Sequence, residues 1–118
     1  MDFSNLANKY NLKLLVLFGS QATGQTHKDS DTDIAYFSFA PLSLFDESKL
    51  IVDLQEIVKN NVDLVDLRRA NPLLKNQIFQ NGKALFESTN GLFVDSYLQA
   101  RRSYDEHLPL YQAKLALL

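Results

Sequence analysis

The chain has 118 residues, 46% of them hydrophobic and 22% charged, which supports one soluble domain with no room for a second core. It contains no cysteine, which excludes disulfides, a thiolate nucleophile and a cysteine-based zinc site, and suits a reducing cytoplasm. A formal net charge of −2 argues against a broad basic face, so direct nucleic-acid binding is not expected.

Met1-Asp2-Phe3-Ser4 lacks the basic and apolar regions of a signal peptide. The longest strongly apolar run, Leu14–Phe18, is far short of the ~20 residues that a membrane span needs. Ser4 is placed to cap a short helix through Tyr10, with Asn11 ending it. Leu12–Phe18 reads as a strand covered on both faces, because its apolar character is nearly continuous. Gly19-Ser20 follows, then a short helix over Gln21–Thr23 stopped by Gly24, then a polar loop over residues 25–30.

Asp31-Thr32-Asp33 opens a second strand that runs through Ile34–Phe39 and is closed by Pro41. Ser43 and Asp46 form a capping-box pattern before a helix with Leu50, Ile51, Leu54, Ile57 and Val58 at helical spacing, ended by Asn60-Asn61. Val62–Leu67 is a third strand. Asn71-Pro72 supplies a cap and a first-turn proline for another helix, and Asn81-Gly82 stops it. Ala84–Phe86 is a short last strand. From about Leu92 a longer helix carries Phe93, Tyr97, Ala100, Tyr104, Tyr111, Leu115 and Leu118 on one stripe, and Pro109 predicts a kink or a division into two helices. The stripe either packs on the sheet or, over Leu108–Leu118, docks a partner.

The chemistry concentrates between Leu14 and Phe37. Side chains alternate along a strand, so Asp31 and Asp33 project from one face about 7 Å apart. Two acids so placed call for a cation, and Mg²⁺ takes hard oxygen ligands completed by substrate phosphates. Gly19 lets the backbone approach a ligand, and N–H groups at a turn or helix start favour phosphate oxygens. Asp63 and Asp66 offer a third acid from the next strand. Three residues apart, they face opposite sides, and alternation alone does not choose between them.

The spacing of Gly19-Ser20, ten residues, then Asp31-Thr32-Asp33 resembles the signature of the DNA polymerase β-like nucleotidyltransferases, and the small size resembles their minimal (MNT) branch. The resemblance covers residues 12 to about 87. It implies an α/β (α+β) fold, a small mixed sheet of about four strands with helices mainly on one face. The chain would be a single domain, with residues 1–90 the nucleotide-binding core and 91–118 a C-terminal helical segment. It also selects Asp63 as the third acid, since the family's run has the form Val-Asp-Leu-Val. Asp31 and Asp33 would then bridge two Mg²⁺ ions, Asp63 would bind the ion holding the acceptor hydroxyl, and Gly19 and Ser20 would hold the triphosphate of ATP.

Many minimal members are antitoxins of HEPN/MNT toxin–antitoxin pairs. The resemblance therefore implies transfer of AMP to a tyrosine of a HEPN ribonuclease toxin, silencing it in the cytoplasm. Neutralisation by binding alone, or modification of a small molecule such as an antibiotic, are the alternatives. Many relatives carry an arginine where this chain has Thr23, and Lys28 is the nearest cation before the aspartates. His27 reads as a solvated loop histidine. Arg68-Arg69 and Arg101-Arg102 read as solvated surface pairs. Arg102 and His107 match the Arg-x4-His spacing of HEPN ribonucleases, but the α/β pattern leaves no room for an all-helical bundle, so they read as helix surface.

Overall fold

The strand Leu12–Phe18 (β1) lies at the centre of the sheet, antiparallel to Thr32–Ser38 (β2) on one side and to Lys83–Glu87 (β4) on the other. Its near-continuous apolar sequence is explained by this position: Leu14, Leu15 and Val16 are fully enclosed. The structure is a computed structural model describing residues 2–24 and 30–117. The fourth strand, Val62–Asp66 (β3), runs parallel to β2, giving a mixed sheet in the order β3-β2-β1-β4. A parallel neighbour needs a crossover, and the helix Leu44–Val58 (α3) supplies it.

The α/β class and the four strands agree with the sequence reading. Helices cover both faces, however, rather than mainly one. Ser4–Tyr10 (α1) and α3 pack Phe3, Leu6, Tyr10, Leu50 and Leu54 on Leu15, Ile34 and Tyr36. Pro72–Asn81 (α4) and Leu92–Ala116 (α5) pack Ile78, Phe79 and Ala100 on Leu14, Val16 and Ala35. The reason is visible in β1 and β2: a strand apolar on both sides requires a helical layer on each. A β-bulge between Leu12 and Leu14 shifts the register, so that Leu12 joins Leu15 rather than Leu14.

Local stop and start signals mostly act as read. Asn11 ends α1 in the left-handed conformation (φ 55°), Ser43 Oγ accepts from Asp46 N at 3.1 Å, and Asn71 Oδ1 accepts from Leu74 N at 2.8 Å. Ser4 is not the cap of α1; it is the first helical residue, and its N–H donates to Asp2 Oδ1 at 2.9 Å. At the end of α3, the left-handed residue is Lys59 (φ 58°), one before the expected asparagines. Ser20–Thr23 (α2) is a single turn stopped by Gly24 (φ 78°).

Pro109 does not divide the last helix, because α5 is one helix of 25 residues through it. Proline deletes one donor, which leaves the carbonyl four residues back, at Asp105, without its helical partner; that residue is exposed, so water can serve it. The inner half of α5 packs on α4, with Phe79 5.4 Å from Phe93 and 6.4 Å from Tyr97 between ring centroids. Farther along, Leu110, Leu115 and Leu117 are exposed; Leu118 lies outside the described residues. No described helix is long and apolar enough to cross a membrane.

Gly82, between α4 and β4, has no room for a side chain: a Cβ there would collide with the Ile78 carbonyl oxygen and Val16 Cγ1. Its φ is −81°, which any residue adopts, so the constraint is steric. Gly82→Ala is therefore expected to lower stability by about 1–3 kcal/mol, the usual cost of overpacking. Asn71→Ala, which only removes a cap, should cost about 1 kcal/mol. Urea unfolding midpoints of the two variants give the comparison.

Candidate active site

The last residue of β1, Phe18, pairs with Asp33 of β2, and Asp33 in turn pairs with Asp63 of β3. In a parallel pair, residues in register point to the same face. Asp33 and Asp63 therefore sit side by side on the α4/α5 face, continuing the line of Ala35 and Val65. Asp66 stands opposite Tyr36, whose side chain belongs to the other face. Its carboxylate is already engaged: Oδ1 accepts from Arg68 N at 2.9 Å, and Oδ2 lies 3.7 Å from Arg69 Nε. The ambiguity that alternation left between Asp63 and Asp66 is thus resolved by register, as far as position is concerned.

Asp31 lies just outside β2, not within it, and is exposed. Its position is set by its neighbours. Thr32 N donates to Asn61 O at 2.9 Å, while Asn60 Nδ2 donates to Ser30 O at 2.8 Å and to Thr32 Oγ1 at 3.1 Å. Asn60 was legible only as a helix stop; nothing in its local sequence signals a clamp on a strand 28 residues upstream.

Gly19 closes the other side. Its backbone (φ 72°, ψ −155°) is essentially restricted to glycine, and a Cβ would collide with the Asp33 carboxylate, reaching 3.0 Å from its Cγ. The turn therefore lies directly against the acid. Ser20 and Gln21 head α2, where helix geometry provides no intrahelical acceptor for their N–H groups. Thr23 is exposed, and its hydroxyl donates back to Ser20 O at 3.3 Å. His27 and Lys28 lie outside the described residues. His107 is part of the α5 surface, with Nδ1 2.8 Å from Ser103 O. Arg101 meets Asp105 at 3.4 Å, and Arg102 is exposed. Arg68 is more than a solvated cation, because its guanidinium donates to Ser38 O at 2.8 Å.

Burial, and then the charges of Asp63 and Asp31, push the Asp33 carboxyl above its ordinary value. Among the described residues, no lysine or arginine forms an ion pair with any of the three. Nor does any described group of three or more His, Cys, Asp or Glu side chains form a cluster that could hold a metal ion. The donor set nonetheless fits Mg²⁺, which is commonly held by one or two carboxylates and completed by water and substrate phosphates rather than by an all-protein cage. Asp33 and Asp63 are the pair that would hold it, with Asp31 at the rim.

Acids paired across a parallel strand pair, with a glycine turn packed against them, fit the nucleotidyltransferase class of fold. The chain belongs to the Polymerase beta, Nucleotidyltransferase family, which matches residues 3–90. It is 39% identical over 75 residues to the protein adenylyltransferase MntA of Shewanella oneidensis, a match covering 64% of this chain and 54% of that protein. The chain therefore spans about half the length of that relative. In structure it is similar to one chain of a toxin–antitoxin complex with AMP-PNP, with TM-score 0.82, 30% identity, and coverage of 95% of this chain and 91% of that one. A second likeness is to a chain from a complex of a tri-AMPylated Shewanella oneidensis HEPN toxin with its MNT antitoxin (TM-score 0.60, 27% identity, 94% of each chain).

The raised Asp33 carboxyl has a signed consequence. A folded-state value above the unfolded one means that this group's contribution is at its best below the ordinary carboxylate range, and is lost as pH rises through the raised value. At neutral pH the charge is a net cost of folding. Asp33→Asn should therefore raise the urea midpoint at pH 7, and the gain should disappear by about pH 3, where the carboxyl is largely protonated in both states. An unchanged midpoint at pH 7 would remove the electrostatic reading.

Proposed function

We propose that this chain transfers AMP from Mg²⁺-ATP to a tyrosine hydroxyl of a HEPN-class toxin in the cytoplasm and so neutralises it. The observation that carries the reading is the register that sets Asp33 beside Asp63 with Gly19 packed on Asp33. The likeness to chains from toxin–antitoxin complexes, one with AMP-PNP and one with an AMPylated HEPN toxin, supports both nucleotide and partner.

In this reading the Gly19 turn and the first N–H groups of α2 receive the triphosphate, since a backbone with no Cβ lets phosphate oxygens approach. Asp63, the more exposed member of the pair, orients the acceptor hydroxyl and takes its proton. Asp33 and Asp31 maintain the negative field that recruits the cation, with Asp33 fixed by its strand and Asp31 by the Asn60–Asn61 clamp. Magnesium, when bound, supplies charge neutralisation on the phosphates and lowers the hydroxyl's pKa. The new bond joins the acceptor oxygen to the α-phosphorus; the bond to the bridging oxygen of the β-phosphate breaks, and pyrophosphate leaves. Positioning and charge account for the rate, with no covalent enzyme intermediate.

One observation favours a second reading. Thr23 is neutral and folds its hydroxyl back on its own turn, so α2 itself carries no cation for phosphate. Under that reading the protein neutralises its partner by contact alone.

Incorporation of α-labelled ATP into a co-expressed HEPN partner separates the two. Asp63→Asn is expected to reduce label by at least about 100-fold, the scale of a lost general base, whereas Asp66→Asn should leave it near wild type. Equal label in wild type and an Asp31→Ala, Asp33→Ala double variant would overturn catalysis by these acids.

A further inference from the structure

The face that carries Asp33 has a second feature at its other end. Asp33, Ala35 and Phe37 project to the same side of β2, so Phe37 lies about 13 Å from Asp33 along the strand. There the ring forms one wall of a cavity of about 230 Å³, with Leu67, Phe79 and Ala100 as its other apolar lining, Lys75 contributing a cation and three neutral polar side chains of α5 completing the wall.

Three cations converge on this point from three parts of the chain. Lys13 Nζ, from the β1 bulge, lies 4.2 Å from the Phe37 ring centroid, and the Arg68 guanidinium, just after β3, lies 5.2 Å from it. Lys75, from α4, lines the cavity itself. None of the three forms an ion pair among the described residues. In a chain of net charge −2, that is a local cluster of cations beside a partly apolar socket, Lys75 in its lining and Lys13 and Arg68 against the Phe37 ring that walls it.

We propose that this socket is a docking site for an acidic segment of the protein acceptor, a segment carrying one large apolar side chain; the proposal rests on the protein-transfer reading above. Charge complementarity selects the acidic segment, and the apolar lining selects the anchor that fills the cavity. The volume falls below the ~300–1,000 Å³ of ordinary small-ligand pockets, which fits a single side chain better than a nucleotide. Three cations are too few for a nucleic-acid track, and the acids at the opposite end of the face would repel a phosphate backbone. Docking here would hold the acceptor's hydroxyl-bearing region over Asp63 without using the nucleotide site. The device suits a small domain, because the second contact converts the reaction into an effectively tethered one.

The test uses the full chain and a fluorescein-labelled Glu-Asp-Phe-Asp-Glu peptide, read by fluorescence anisotropy. Comparison probes are the same peptide with alanine for phenylalanine, its lysine-substituted counterpart, and a single-stranded RNA oligonucleotide. The acidic phenylalanine peptide should bind best, and a Lys13→Glu, Lys75→Glu double variant should weaken it by about tenfold or more. Lys13→Arg, Lys75→Arg should retain binding, and AMP-PNP affinity, read by calorimetry, should be unchanged in both variants. Equal binding of the lysine peptide, preferential binding of the RNA, or a parallel loss of AMP-PNP affinity would each overturn the proposal. Peptide binding needs no catalysis: failed label transfer with intact peptide binding overturns only the transfer reading, and intact transfer with no peptide binding overturns only the docking site.

Discussion

The structure is organised around a carboxylate held where it is costly. Asp33 is partly buried, lies between two other acids and has the backbone of Gly19 packed on its oxygens, so its charge is disfavoured in the folded chain. Such a group stays in place only when the surrounding frame over-determines it. Here β1 fixes it through the Phe18 pairing, β3 through the Asp63 pairing, and the αβ connection through Asn60 and Asn61. Among the described residues no lysine or arginine pairs with it, so its negative charge stays open to a cation.

The two helical layers make that frame rigid in different ways. On the α1/α3 face, polar anchors reinforce the packing: Tyr36 Oη donates to Glu47 at 2.6 Å, and Tyr10 Oη donates to Asp53 at 2.6 Å beside the Lys9–Asp53 pair. Burial and the Glu47 contact raise Tyr36 well above the usual phenol range, so it remains a neutral donor at any working pH. On the α4/α5 face the packing is aromatic and close, with Gly82 allowing α4 to approach β1. Asp33 and Asp63 sit at the edge of this second layer, beyond Ala35 and Val65.

Much of this was legible because the local signals are physical constraints. A seven-residue apolar strand must be central, Asn11 can adopt a left-handed angle, and Asn71-Pro72 can start a helix. What escaped is non-local. Alternation left Asp63 and Asp66 open and only the family resemblance chose Asp63; the physical ground, that Asp63 falls opposite Asp33, is a property of strand pairing that no residue carries in its own neighbourhood. The bulge at the start of β1 altered which leucines share a face, and the covering of both faces, signalled by β1 alone, conflicts with the one-sided helical layer that the family resemblance implies. Asn60 resembled a stop signal because its long-range partners, Ser30 and Thr32, are invisible to periodicity. Pro109 signals a kink or a division, and that α5 runs through it undivided depends on the exposure of Asp105, which lets solvent serve the freed carbonyl and is a tertiary fact.

Net charge conceals the arrangement that matters most. A total of −2 describes a mild surface, yet one face of one sheet has acids at the start of β2, and at its end Lys13 and Arg68 against Phe37 with Lys75 in the adjoining cavity. β2 supplies both poles, because residues two apart share a face and the strand is long enough to separate them by more than a Debye length in physiological salt. At that separation each pole acts on what touches it with little cancellation from the other. A single strand can therefore keep a negative field at one end and a field of opposite sign at the other.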